Sequence, residues 1–234
     1  MRFRAVLFDA GETLVHPSPS FPALASRALA AAGHERSPED VVEASKAVFE
    51  HFSRAAREQN LWTTSPEKSA RFWKDVYTDM LEALGLPGRD GLRDTLYGVF
   101  TDLGNYALFD DVRPAVEALA PSGVTLGIVS NFEAWLEDLL VRLEVRDLFP
   151  VRVISGRVGM EKPDPRIYEL ALTQAGVEAH EAAYVGDNPE FDVVPTAALG
   201  MTPVLIDRRE RFPAFGGLRI TDMRALPAAL EAAP

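Results

Sequence analysis

Asp9, Asp187, Asp192, Lys162 and Ser130 are the residues of this chain whose types and settings could do chemistry together. Asp9 ends the apolar run Ala5-Val6-Leu7-Phe8, and Asp187 and Asp192 follow Ala182-Ala183-Tyr184-Val185-Gly186. Ser130-Asn131 follows a third apolar run, and Lys162 stands alone before Pro163. A carboxylate can attack phosphorus or an alkyl carbon and form a covalent intermediate that water resolves. Carboxylates that meet at one point also supply the hard oxygen ligands that Mg²⁺ takes. Each residue has an ordinary reading when taken singly: an aspartate after a strand is a turn or cap residue, and Ser-Asn is a loop signal. Their order and local context make the set specific.

Such residues can converge only if strand ends are brought side by side. Residues 4–9 read as a buried strand, and Gly11, Thr13 and then Pro17, Pro19 and Pro22 mark irregular backbone after it. Helical spacing follows over Ala23–Ala32, Glu39–Asn60, Trp62–Leu84 and Asp90–Tyr97, with no comparable strand signal between Phe21 and Tyr106. The rhythm changes after Asp110. Strands are expected at Val124–Val129, Val151–Ile154, Ala182–Val185 and, last, Pro203–Ile206. Helices between and after them are expected at Arg113–Leu119, Glu133–Leu143, Pro165–Ala175 and Phe191–Leu199. Alternation at this spacing means βαβ units and a mainly parallel sheet. The fold class is therefore α/β, a Rossmann-like parallel-sheet core of residues 1–16 and 106–234 interrupted by an all-helical block, 17–105. In such a sheet the site lies at the carboxyl ends of the strands.

The 234 residues carry a net charge of −11 and are 47% hydrophobic, enough for a proper core. An acidic chain repels nucleic acid and anionic lipid, so neither is an expected partner. Cysteine is absent, which excludes disulfides, thiolate metal sites and a cysteine nucleophile. The start, Met1-Arg2-Phe3-Arg4, is too short for a signal peptide, and no apolar stretch approaches a membrane span. A cytoplasmic protein, monomer or homodimer, is the expectation.

The ordered set Phe8-Asp9-x-x-x-Thr13-Leu14, Val129-Ser130-Asn131, Gly159-x-x-Lys162-Pro163-Asp164-Pro165 and Val185-Gly186-Asp187-Asn188-x-x-x-Asp192 resembles the haloacid-dehalogenase-like hydrolase superfamily. The likeness is strong over residues 4–15 and 109–206. It is weak over the helical block, which corresponds to the family's variable cap, as in the subgroup with a helical cap inserted after the first motif. The resemblance implies that Asp9 is the nucleophile and that Asp9, Asp187 and the backbone carbonyl of Gly11 hold Mg²⁺. Asp192 would act on the ion through water or orient Lys162. Lys162 would neutralise the nucleophile and the transferring group. Ser130 and Asn131, with nearby amides, would hold the substrate's phosphoryl oxygens. A phosphatase acting on a small phosphorylated metabolite, beneath a cap that excludes water, is the implied function.

One position departs from that pattern. Gly11 stands where family phosphatases carry a second aspartate that protonates the leaving group, a contribution of roughly 10²–10⁴ in rate. Glu12, one residue on, is the candidate acid/base in its place, and His16 is a weaker one. Without a substitute, activity should be weak or biased toward activated leaving groups. Two rivals follow. One is a catalytically impaired relative that binds or interacts. The other is a 2-haloacid dehalogenase, whose halide needs no proton, although such enzymes lack the metal-binding acid that Asp187 represents.

Overall fold

The computed structural model describes residues 2–46, 62–86 and 90–233. The chain divides into two compact units, residues 1–15 with 108–234 and residues 16–107.

The first unit is built on six parallel strands. In chain order these are β1 (Ala5–Phe8), β4 (Thr125–Ser130), β5 (Val151–Ile154), β6 (Ala182–Gly186), β7 (Thr202–Ile206) and β8 (Leu218–Ile220). Their spatial order is β5-β4-β1-β6-β7-β8. All four residues of β1 are buried, as are all five of β6. A central parallel strand is covered on both faces, which is why it reads as an unbroken apolar run and does not alternate. Helices Val112–Leu119, Leu136–Arg142 and Pro165–Ala175 connect the strands. The last of these starts at Asp164, whose side chain accepts from the Arg166 amide, has Pro165 in its first turn, and closes on Gly176 at φ 66°.

The strand order fixes where a ligand can sit. From β1 the chain winds outward through β4 to β5, then crosses back to β6 and winds the other way through β7 to β8. The direction reverses between β1 and β6, the switch point at whose carboxyl ends open α/β sheets place their ligands. In register, Phe8 faces Ile128 on one side and Val185 on the other. The residues that follow, Asp9, Ser130 and Asp187, therefore emerge at one edge of the sheet.

The strand expected to be last is followed by another, since Leu218–Ile220 extends the sheet beyond Thr202–Ile206. Two further short strands, β2 (Val15–Pro17) and β3 (Tyr106–Leu108), pair at the two points where the chain passes between the units.

The second unit is helical: Phe21–Ala31, residues 38–46, Pro66–Ala83 and Asp90–Thr101. The remainder of the expected Glu39–Asn60 helix, from residue 47, lies outside the described residues. Ser65 caps the third helix by accepting from the Lys68 amide, and Pro66 sits in its first turn. Phe72, Val76, Tyr77, Met80 and Leu81 form one buried stripe along it, and Tyr77 packs on Phe100 with ring centroids 5.7 Å apart. The stripe is core of this unit, as helical spacing most often indicates.

Candidate active site

Asp9, Asp187 and Asp192 converge, each offering a carboxylate oxygen within 4.8 Å of the others. Asp9 follows β1, its amide donating to Val185 O at 2.9 Å, and Asp187 follows β6. Asp192 lies in a single π-helical turn, Pro189–Val193, where a plain α-helix from Phe191 was expected. Such turns recur at functional sites because the extra residue re-aims a side chain. Asn188 starts the turn by accepting from the Glu190 and Phe191 amides, and its own amide donates to Asp192 Oδ2 at 3.0 Å. Gly186 makes the approach sterically feasible: a Cβ there would lie 2.3 Å from Asp192 Cγ.

Lys162 sits among these acids. Its Nζ donates to Asp9 Oδ1 at 2.8 Å and to Asp192 Oδ1 at 2.6 Å, and all three side chains are buried. Burial alone would pull the ammonium down, but Asp192 and Asp9 outweigh it and hold the group protonated. Tyr184 lies within reach of Lys162 Nζ at 3.3 Å and donates its own hydroxyl to Val129 O. The lysine's loop is held by Asn131, whose amide donates to Lys162 O at 2.8 Å while its Oδ1 accepts from Lys162 N at 2.6 Å. Both ends of that side chain are thereby spent on backbone. Ser130 Oγ donates to Asp9 Oδ1 at 3.1 Å. Ser155 steadies the same loop, accepting from Phe132 N and donating to Phe132 O.

Asp187 is pushed up to about 7, first by burial and then by repulsion from Asp192 and Asp9, with Arg211 opposing. Asp192 is pushed up too, again by burial first, with Lys162 opposing. Three clustered carboxylates against one lysine and one arginine leave the site short of positive charge. Their donor atoms are all hard oxygens, so the cluster could coordinate a divalent cation.

Glu12, the candidate acid/base, is paired with an arginine and is not one of the clustered carboxylates. It adopts φ 57°, its amide donates to Val15 O, and its Oε2 accepts from Arg209 at 2.8 Å with the side chain 38% exposed. His16 is half-buried in the second unit, its Nδ1 2.8 Å from Pro17 O. Gly11 pairs with Val15 in a single bridge.

Sequence reasoning missed Arg211, whose Nη2 lies 2.9 Å from Asp187 Oδ2. The signal was present: Asp207-Arg208-Arg209-Glu210-Arg211 is a charged run directly after a strand, in the same setting as Asp9 and Asp187. Arg208 on the same loop pairs with Asp111 and donates to Thr13 O.

A family model for haloacid dehalogenase-like hydrolases matches residues 3–200. The mouse haloacid dehalogenase-like hydrolase domain-containing protein 3 is 34% identical over 141 residues, 59% of this chain and 56% of that protein. The phosphoserine phosphatase of Thermus thermophilus is 34% identical over 158 residues, 67% of this chain and 59% of that protein. The chain thus spans little more than half the length of these two relatives. Among solved structures, a 2-haloacid dehalogenase from Pseudomonas syringae superposes with a TM-score of 0.61 at 26% identity, covering 98% of each chain. No described helix is long and apolar enough to cross a membrane.

Proposed function

We propose that this chain, which belongs to the haloacid dehalogenase-like hydrolase family, is a Mg²⁺-dependent phosphohydrolase acting on a small phosphorylated metabolite. The meeting of Asp9, Asp187 and Asp192 within 4.8 Å carries the reading. Release of a halide from carbon needs no divalent cation, so a dehalogenase has no use for Asp187 in that cluster. The similarity to a phosphoserine phosphatase supports the same side.

In this reading the Asp9 carboxylate attacks phosphorus. A bond forms from an Asp9 oxygen to phosphorus, the bond from phosphorus to the ester oxygen breaks, and the leaving group departs as its oxyanion, which takes its proton from solvent. Water then attacks phosphorus, the bond from the Asp9 oxygen to phosphorus breaks, and inorganic phosphate departs with the water's oxygen while the water's protons pass to phosphate and solvent, which restores the carboxylate. Lys162 offsets the charge of the nucleophile and of the transferring group, and Ser130 releases Asp9 to donate to a phosphoryl oxygen. Asp9, Asp187 and the Gly11 carbonyl would hold Mg²⁺, with Asp192 as an outer ligand. Bound there, the cation supplies charge neutralisation for the phosphoryl group.

No side chain at position 11 protonates the leaving oxygen, and Glu12 is engaged by Arg209. Activity is therefore biased toward esters with good leaving groups, which depart as stable oxyanions without prior protonation. The test is a screen of aryl and alkyl phosphates with and without Mg²⁺, repeated for Asp9→Asn. We expect Mg²⁺-dependent phosphate release that favours aryl esters and is lost in the variant. Metal-independent halide release from a 2-halo acid would make the chain a dehalogenase. Mg²⁺ binding with no turnover and no beryllofluoride adduct on Asp9 would make it an impaired binding protein.

A further inference from the structure

The three clustered carboxylates are not held alike. Asp9 is fixed by Lys162 and Ser130, and Asp192 by Lys162 and the Asn188 amide. The Asp187 carboxylate, among the described residues, hydrogen-bonds neither Lys162 nor a backbone amide. Among the described residues, the side chain that hydrogen-bonds its carboxylate is Arg211, through Nη2 to Oδ2 at 2.9 Å.

Arg211 is itself built into place. Asp207, fully buried just past the end of β7, accepts from the Arg211 amide at Oδ1 (2.8 Å). Its Oδ2 accepts from the Phe212 amide (2.9 Å) and from Arg219 Nε (2.9 Å). This clamps the start of the β7–β8 loop against the neighbouring strand, so the Arg211 backbone is fixed where its side chain can reach Asp187. The guanidinium carbon also lies 5.3 Å from the Phe212 ring centre.

We propose that Arg211 is a positioning residue for the cation ligand Asp187. Its hydrogen bond to Oδ2 fixes the orientation of the carboxylate and leaves Oδ1 as the oxygen to offer a cation. The proposal rests on the reading of this cluster as a Mg²⁺ site. Partners that orient ligating side chains typically contribute about 10–100-fold in metal affinity. Charge alone has the opposite sign: a guanidinium beside the ligand repels a second cation, so its removal would strengthen binding. The direction of the change therefore separates orientation from bulk electrostatics.

The experiment is calorimetric titration of Mg²⁺ into the full chain without substrate, for wild type, Arg211→Ala, Arg211→Lys and Asp187→Asn. Arg211 is a third exposed, and the lysine variant keeps the charge if the alanine variant folds poorly. We expect binding to weaken about 10–100-fold in Arg211→Ala and also to weaken in Arg211→Lys, which lacks the fixed fork. Equal or tighter binding in Arg211→Ala overturns the positioning role. If wild type binds, Asp187→Asn does not and Arg211→Ala binds as wild type does, the role of Arg211 falls alone and the metal site stands. If wild type binds no Mg²⁺, the metal site and this role fall together.

Discussion

Gly186 and Asp192 are sterically matched: any Cβ at the glycine would fall 2.3 Å from the carboxyl carbon of the aspartate. The clash is with a buried side chain pinned by Lys162 and the Asn188 amide, not with a free rotamer. Gly186→Ala should therefore cost about 1–3 kcal/mol, as overpacking of a tight interior does. Urea denaturation measures that loss. The same variant should bind Mg²⁺ more weakly, because Asp192 must move.

Lys162 balances two buried carboxylates, and a neutral residue of similar length would leave both without a counter-charge. Removing one partner of a buried pair costs about 3–5 kcal/mol. We expect Lys162→Met to show that loss in denaturant melts without metal. Mg²⁺ should restore part of it, since the added cation supplies the missing charge. A variant as stable as wild type in metal-free buffer would contradict the electrostatic role given to the lysine.

Cation binding should depend on pH through Asp187. Burial, with repulsion from Asp192 and Asp9, raises its carboxyl from 3.8 to about 7. Between those values the folded chain holds a proton that the unfolded chain has released. The contribution of this group to metal-free stability therefore falls as pH rises across that window. A ligating carboxylate must be ionised, so Mg²⁺ affinity should climb as pH rises toward about 7 and level off above it. Titration calorimetry in buffers of different ionisation enthalpy should detect proton release below that point and little above it.

Position 11 has room for a Cβ. A Cβ there would meet Phe132 Cε2 at 3.9 Å, an ordinary contact. Gly11→Asp should raise turnover of alkyl phosphates by about 10²–10⁴-fold, the usual contribution of a positioned general acid, and change aryl phosphates much less. Equal gains on both substrate classes would point to a changed metal site.

The parts of the fold that were legible in the sequence are those where burial leaves no alternative. Ala5–Phe8, Thr125–Ser130 and Ala182–Gly186 are sheathed on both faces, so each shows as an apolar run ending in a polar island. Leu218–Ile220 was not legible because three residues at a sheet edge, one of them arginine, carry no period. The convergence of the carboxylates could be expected from strand order. The partners of Asn131, Glu12 and Asp187 could not, because each depends on how far a loop reaches across the sheet edge. Arg211 lies 24 residues from the carboxylate it holds, and only the register of β6 with β7 brings their loops together.

The excursion to the helical unit leaves after Val15 and returns before Leu108, while the six-stranded order is completed by residues on either side of it. None of the carboxylates, nor Lys162, nor Arg211 belongs to the excursion. The inserted segment therefore leaves one strand and rejoins the next without contributing any of the residues proposed to do the chemistry, so its length and sequence can vary independently of them.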